Sequence, residues 1–468
     1  MGGIGPSPGH SAMTRLARPM LLALGAAALA PLPAATLLAR EASAPAGPMT
    51  DTLRHEIADR ADSDLRDFYA ARGNRPLWID ANGRISPAAA TLLRQIENAR
   101  LDGLRPGKFK ARNLEKALTR ASERTPEALA KAELAASNSF ARYVKGLRGA
   151  NHGPMIYESE ALAPVVPTEA AALRAAASAE SLEDYVADMG WMHPLYAPMR
   201  KGLANLRYDD HQRYQIAMNL QRIRALPANP GARYVLVDTA GARLWMYENG
   251  KPVGTMRVVV GKAEQQTPAM AGFLRYAIVN PYWNVPQDLV QTRIATNVLD
   301  RGIGYLKNGG YEVLSDWTEH AEVIDPHRID WHAIAAGQQE RPRVCQLPGK
   351  DNFMGKVKFM FPNRQGIYLH DTPDKHLLRK EVRQLSSGCV RLEDAAKLGR
   401  WLLDEPLPAK ARSPEQRIEL PELVPVYITY LTAMPGKDGI TFRNDIYVRD
   451  VPQDEKRDRS RMAMSDRP

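Results

Sequence analysis

Two short segments hold residue types that could do nucleophilic chemistry together. The first reads Gly366-Ile-Tyr-Leu-His370-Asp-Thr-Pro and the second Leu385-Ser-Ser-Gly388-Cys389-Val-Arg391-Leu. A thiol attacks as its thiolate, so it needs a neighbour that takes its proton and later protonates the leaving group. His370, at the end of an apolar strand-like run, is the residue for that role. Gly388 lets the backbone approach a reacting atom closely, and free amides around it could hold a developing oxyanion. Set against this, an isolated cysteine is usually a small buried hydrophobe, and a histidine at a strand end usually caps or faces solvent.

The elements that must position these residues can be read outward from them. After Cys389, Leu392, Ala395, Ala396, Leu398, Leu402 and Leu403 recur at helical spacing, with Glu393 and Asp394 early and Lys397 and Arg400 late. The pattern predicts a helix whose N-terminus opens at Cys389, where the positive end of the dipole lowers the thiol pKa. Upstream, period-two runs predict strands over 234–238, 243–247 and 253–260, with Asn249-Gly250 as a hairpin turn. Further strands are expected over 275–279, 357–361, 366–370 and 424–431. Before all of these, helix-period apolar positions run over 53–71, 87–100, 126–147, 168–178, 181–188 and 196–224. The expected fold class is therefore α+β: a mainly helical domain over 47–228, then a β-rich domain over 229–450 interrupted by an insertion at about 290–355.

At the N-terminus, Arg15 and Arg18 precede an apolar run over 20–39 that Pro31 and Pro33 interrupt. Small residues follow at Ala42, Ser43, Ala44 and Ala46. This predicts an export signal over 1–46, with an uncleaved membrane anchor as the alternative. The last residues, 451–468, are charged and poor in apolar side chains, which predicts a disordered tail. The chain of 468 residues carries a formal charge of +10. That suits an anionic polymer, but no basic run is interleaved with aromatics, so nucleic acid is not expected as a partner. The ten histidines show no metal-binding HExxH spacing, and no glycine-rich phosphate loop occurs, so neither metal nor cofactor is expected. Two cysteines, Cys345 and Cys389, are too few for a disulfide framework.

The strand-His-x-Thr segment followed by Ser-x-Gly-Cys-x-Arg resembles the signature of the L,D-transpeptidase (YkuD-domain) family. The likeness extends to Asn280-Pro-Tyr-Trp-Asn-Val-Pro286, Val357-Lys-Phe-Met-Phe-Pro-Asn363 and Asp445-Ile-Tyr-Val-Arg-Asp450. These are similar to the large periplasmic subgroup, as is Tyr69-Ala-Ala-Arg-Gly73-Asn-Arg-Pro-Leu-Trp78 in its helical scaffold. Val323-Ile-Asp-Pro326 and Ile329-Asp-Trp331 resemble that subgroup's capping lid.

The resemblance implies a periplasmic enzyme that joins peptidoglycan stem peptides, by default between third residues. It implies Cys389 as nucleophile, His370 as general base oriented by the carbonyl of Asp371, and the amides of Ser387, Gly388 and Cys389 as oxyanion hole. Arg391 is expected either to bind a stem carboxylate or to brace the cysteine loop through nearby carbonyls, with bracing favoured. Tyr368, Trp283 and Asn284 are candidate walls of the donor pocket, against an ordinary role in an aromatic core. Other cell-wall enzymes are candidate partners. The sequence departs from the family in having Ser387 where many members have histidine, and no small peptidoglycan-binding module is found over 150–230. Three alternatives stay open: a cross-link nearer the first stem residue, an L,D-carboxypeptidase or endopeptidase of the same fold, and a non-catalytic wall-binding scaffold.

Overall fold

Capping residues stand at most of the helix starts that the apolar periodicity marks in the first half of the chain. The computed structural model describes residues 48–450 apart from 319, 409 and 410. The expected export segment over 1–46 and the expected tail over 451–468 lie outside the described residues. The helices are α1 (Pro48–Arg60), α2 (Ser63–Ala71), α3 (Pro87–Glu97), α4 (Ala111–Arg120), α5 (Pro126–Arg148), α6 (Glu169–Ala177), α7 (Leu182–Ala187), α8 (Tyr196–Ala204) and α9 (Asp210–Arg224). Asp62, Ser86, Thr125, Thr168, Ser181 and Asp209 each accept an amide hydrogen bond at a helix N-cap, as their short oxygen side chains favour.

Helix α5 runs through the helical core and buries Phe140 and Val144 completely. Its Glu133, fully buried, accepts hydrogen bonds from the Tyr69 hydroxyl at 2.6 Å and from the amides of Leu77 and Trp78 at 2.6 and 2.9 Å. A buried carboxyl must be hydrogen-bonded to be tolerated, and here it pins both ends of the Tyr69–Trp78 segment to α5.

The β-rich part begins with β1 (Ile156–Tyr157), then β2 (Arg233–Asp238), β3 (Arg243–Glu248), β4 (Lys251–Gly261) and β5 (Met270–Val279). Asn249 and Gly250, with φ of 49° and 76°, turn β3 into β4, the left-handed pair that such a tight hairpin requires. The chain then leaves the sheet to form a lid. It comprises β6 (Trp283–Asn284), a π-helical stretch Val290–Ala295, α10 (Thr296–Arg301), α11 (Gly304–Asn308), β7 (Tyr311–Leu314), α12 (Trp331–Ala335) and β8 (Arg343–Gln346). The chain returns as β9 (Val357–Met360), β10 (Leu369–His370), β11 (Gln384–Ser386), β12 (Val390–Leu392), α13 (Ala395–Leu403), β13 (Gln416–Thr429), β14 (Ala433–Gly436) and β15 (Gly439–Phe442).

The pairing closes on itself. From β5 the ladder runs through β13, β2, β3, β4, β12, β10 and β9, and β9 pairs antiparallel with β5 again. A ring of this size leaves an interior that side chains fill. Val235, Leu244, Val258, Leu274, Phe359, Leu369, Val390 and Val426 share one buried cluster with Leu398 and Leu402 of α13. The lid has its own buried cluster of Trp283, Val290, Ile294, Tyr311, Trp331 and Val344. It thus starts near Trp283 rather than at about 290.

The helical and β-rich parts exchange segments. β1, from the helical stretch of sequence, pairs in parallel with Met270 and Ala271 of β5. In return, Leu431 and Ala433 join the helical core, with Ile440 and Phe442 packed against it. A helical region followed by a β-rich one is the α+β order expected from the sequence. The exchange was not legible there, because a two-residue strand and a short hairpin carry no periodicity.

Candidate active site

His370 and Cys389 are carried onto adjoining strands because β10 and β12 are parallel neighbours. Leu369 faces Val390 and His370 faces Arg391 in that ladder. Side chains alternate across a strand, so Leu369, Val390 and Leu392 enter the barrel core while His370 and Arg391 take the outer face. Cys389 lies one residue before β12, and the Val390 amide donates to the Tyr368 carbonyl at 3.1 Å.

Directly after Cys389 the chain forms a strand, not the helix expected there. The amphipathic helix α13 begins only at Ala395, capped by Asp394. Val390-Arg391-Leu392 finds ladder partners on both sides, in β10 and β4, and this satisfies its backbone groups before the helix can start. The N-terminus of α13 therefore does not open at the thiol. Burial instead pushes the Cys389 thiol up to about 11, and it donates to the Gly366 carbonyl at 3.6 Å.

His370 is 2% exposed. Its Nδ1 lies 2.6 Å from the Asp371 carbonyl oxygen. A carbonyl only accepts, so the proton sits on Nδ1 and Nε2 keeps its lone pair. Burial, with the charge of Arg391 second, lowers the imidazole pKa to about 3. The ring is thus held neutral with an acceptor nitrogen free for chemistry. Asp371 also acts through its side chain, whose carboxylate accepts from the Lys356 amide at 2.9 Å and from Lys375 Nζ at 2.7 Å. Lys375 Nζ also donates to the Leu392 and Glu393 carbonyls at 3.1 and 2.9 Å. The ends of β10 and β12 are tied through one ammonium group.

The loop that carries Cys389 is held from two directions. Thr267, fully buried, donates its hydroxyl to the Gly388 carbonyl at 2.6 Å and accepts from the Gly261 amide at 2.8 Å. Ser386 Oγ donates to the Cys389 carbonyl at 2.6 Å and accepts from the Gly388 amide at 3.1 Å. Gly388 has φ of 117°, and a Cβ there would lie 3.3 Å from Ile367 Cδ1, so only glycine fits without strain. The expected three-amide oxyanion hole is corrected here: the Gly388 amide is engaged by Ser386. The amides of Ser387 and Cys389 have no acceptor among the described residues.

Arg391 does not brace the cysteine loop through carbonyls. Its Nη1 pairs with Asp374 Oδ2 at 3.3 Å, and its Cζ stands 5.8 Å from the centre of the Phe353 ring. The lid leaves the guanidinium half-buried, and Asp374 supplies the charge that such a site calls for. Tyr368 packs against the lid cluster, its ring edge-on to His370 at 6.1 Å. Trp283, 5% exposed, packs tilted against Phe353, ring centres 4.8 Å apart, inside the lid core, while Asn284 is exposed. The aromatic-core role, not the pocket wall, describes Trp283. Sequence reasoning missed Thr267, Asp374 and Phe353, and gave Ser386, the first residue of the Ser-x-Gly-Cys motif, no role. Thr267 lies 121 residues from Gly388, a distance at which no motif or period could have signalled it.

Comparison with known proteins fits this arrangement. Residues 232–428 match the family described as L,D-transpeptidase catalytic domain, and residues 63–203 match the family described as scaffold domain. A Haemophilus influenzae protein titled "Putative L,D-transpeptidase" is 32% identical over 243 residues, which is 50% of this chain and 47% of that protein. The chain thus spans about half the length of this curated relative. A solved structure titled "L,D-transpeptidase from Mycobacterium smegmatis" aligns over 42% of this chain and 58% of its own, at 10% identity and a TM-score of 0.22. An alignment that loose transfers no residue roles.

Proposed function

We propose, from the premise that this chain carries an L,D-transpeptidase catalytic domain together with a scaffold domain, that it joins peptidoglycan stem peptides through a thioester on Cys389. As the sulfur attacks the carbonyl carbon of the third stem residue, His370 Nε2 takes the thiol proton. The negative oxygen that forms is received by the amides of Ser387 and Cys389. When the C–N bond breaks, the His370 imidazolium gives its proton to the leaving amine, and the terminal D-alanine departs. The side-chain amine of a third residue on a neighbouring stem then attacks the thioester and passes its proton to His370. The C–S bond breaks and the thiol is restored, leaving a cross-link between third residues.

The observation that supports this most is the locked Nδ1–H tautomer of His370, which presents an acceptor nitrogen on the strand beside the thiol. The resting pair is neutral on both sides, so the proton moves as the bond forms, not beforehand. The export segment read from residues 1–46 supports a reaction outside the inner membrane, in the periplasm, where stem peptides are.

The test uses the purified protein with defined disaccharide-tetrapeptides, Cys389→Ala as control, and tandem mass spectrometry of the products. Dimers made by the wild type alone, with fragments joining two third residues, are the expected result. Dimers joined at another stem position would move the donor bond. Monomers shortened by one residue, without dimers, would make the protein a carboxypeptidase. No turnover in either protein would overturn the enzymatic reading.

A further inference from the structure

The outer face of β10 and β12 carries a surplus of positive charge where the lid meets it. Arg391 has Asp374 as partner at 3.3 Å. Arg293, on the π-helical stretch of the lid, has no carboxylate partner among the described residues. Its Cζ lies 3.9 Å from the centre of the Phe353 ring and 5.8 Å from that of Trp283. Arg391 Cζ lies 5.8 Å from the centre of the same Phe353 ring. One aromatic ring therefore carries two guanidinium groups, one from the lid and one from the strand that follows Cys389. They feel each other, since Arg293 is among the charges that lower the pKa of Arg391.

Two neighbouring half-buried cations of which only one has a carboxylate partner are an unfavourable arrangement when nothing else binds. Stacking on an aromatic face offsets part of that cost and fixes the plane of the guanidinium, leaving its N–H edges for an in-plane partner. Arginine presents those edges as a fork that matches a carboxylate. The π-helical turn that carries Arg293 is a rare local geometry that recurs at functional sites.

We propose that Arg293 and Arg391, both set against Phe353, form a clamp for a carboxylate of the donor stem peptide. The lid thereby contributes to donor selection by charge. This rests on the transpeptidase reading above. A donor stem offers this chemistry from two sources: the terminal carboxylate of the residue that leaves, and the carboxylate at the side-chain end of the third residue.

The experiment compares three donors on the full-length protein: the unmodified tetrapeptide, its terminal carboxamide, and the tetrapeptide amidated at the third side chain. For each, kcat/KM of acylation is measured with wild type, Arg293→Gln and Arg293→Lys. The wild type is expected to disfavour one of the amides about ten-fold or more, as loss of a charge-assisted pair implies. Arg293→Gln should lose that preference while matching the wild type on that same amide. The amide that reveals the loss identifies the source. Arg293→Lys should keep part of the preference, and it serves as the probe if the Gln variant does not fold.

Equal rates of the wild type on all three donors would overturn the clamp, as would an Arg293→Gln defect of one size on every donor. A wild type inactive on every donor would overturn the transpeptidase reading, and the clamp with it.

Discussion

The two cysteines of this chain have the same acidity and opposite surroundings. Burial pushes both thiols up to about 11. Cys345 lies within β8, opposite Asn284 on one side and Glu312 on the other, and the Glu312 carboxylate adds to the cost of ionising it. Cys389 follows a glycine in left-handed conformation, beside two amides without acceptors among the described residues and an imidazole with a lone pair on the adjoining strand. Thiol acidity does not set the proposed nucleophile apart. What sets it apart, on the proposed mechanism, is a group that would take the proton during attack and donors that would receive the charge afterwards.

The sharpest way to break that comparison is to exchange the fates of the two residues. Cys389→Ala should reduce cross-linking at least about 1,000-fold, because on the proposed mechanism its sulfur carries the acyl group. Cys345→Ala should change it less than about two-fold, with a modest loss of stability, since only a small buried side chain is removed. Product formation from stem peptides would show both. A large activity loss in the Cys345 variant with an unchanged melting temperature would sink the division of roles.

The next largest effect belongs to the base. His370→Gln should lower kcat/KM by about 100- to 10,000-fold, the range for loss of a general base. The pH profile of the wild type carries more information. His370 has a native pKa near 3 against an ordinary value of 6.5, so its lone pair survives acidification. Activity should stay level from pH 8 down to about 5, and an acid limb centred near 6.5 would contradict the buried, neutral imidazole. Stability has the same sign. Unfolded chains take up a proton at His370 below about 6.5 and the native protein does not until about 3, so this contribution is lost as pH falls through that window. His193, also lowered to about 3 by burial, acts in the same direction.

Alkylation separates a concerted proton transfer from a preformed thiolate. With the thiol pKa near 11, the rate of Cys389 modification by iodoacetamide should keep rising with pH beyond 8.5. A plateau already reached at pH 7 would mean an ion pair between thiolate and imidazolium, and the neutral description would fall. Carrying out the labelling on Cys345→Ala removes the second thiol from the readout.

Sequence and structure agree where a repeating physical pattern was involved. The helical periods and the alternating strands rest on spacings of two or of three to four, and the Asn249-Gly250 turn on residues that tolerate positive φ; the runs over 53–71 and 196–224 are each broken into two helices. The helix after Cys389 was misread in one respect only. Leu392 and Ala395 fit a helical face, but Val390 and Leu392 equally fit a strand, and the short run between them could not decide. The ladder partners decided it, and they come from β4 and β10, which are far apart in sequence. The same reason hides the closure of the barrel by β5 and β9, the return of the 433–442 hairpin to the helical core, and Thr267. Long-range pairings are set by the fold as a whole and leave no local trace.

Thr267 therefore tests whether the second half of the comparison, charge reception, depends on the loop's support. Its hydroxyl hydrogen-bonds the Gly388 carbonyl at 2.6 Å. In a trans peptide the carbonyl and the following N–H point in opposite directions. Holding the Gly388 oxygen toward Thr267 thus aims the Cys389 amide away from it, to the side where that amide has no acceptor. Thr267→Val keeps the shape but leaves the Gly388 carbonyl and the Gly261 amide without this partner. A buried polar group so orphaned costs about 1–3 kcal/mol. If the loop reorients to relieve that cost, kcat should fall about ten-fold with KM nearly unchanged, since the amide acts only on the oxyanion of the transition state. Thr267→Ser, which restores the hydroxyl, should recover most of the rate. Equal loss in the Val and Ser variants would instead assign Thr267 to packing, and the Cys389 amide would then owe its direction to Ser386 alone.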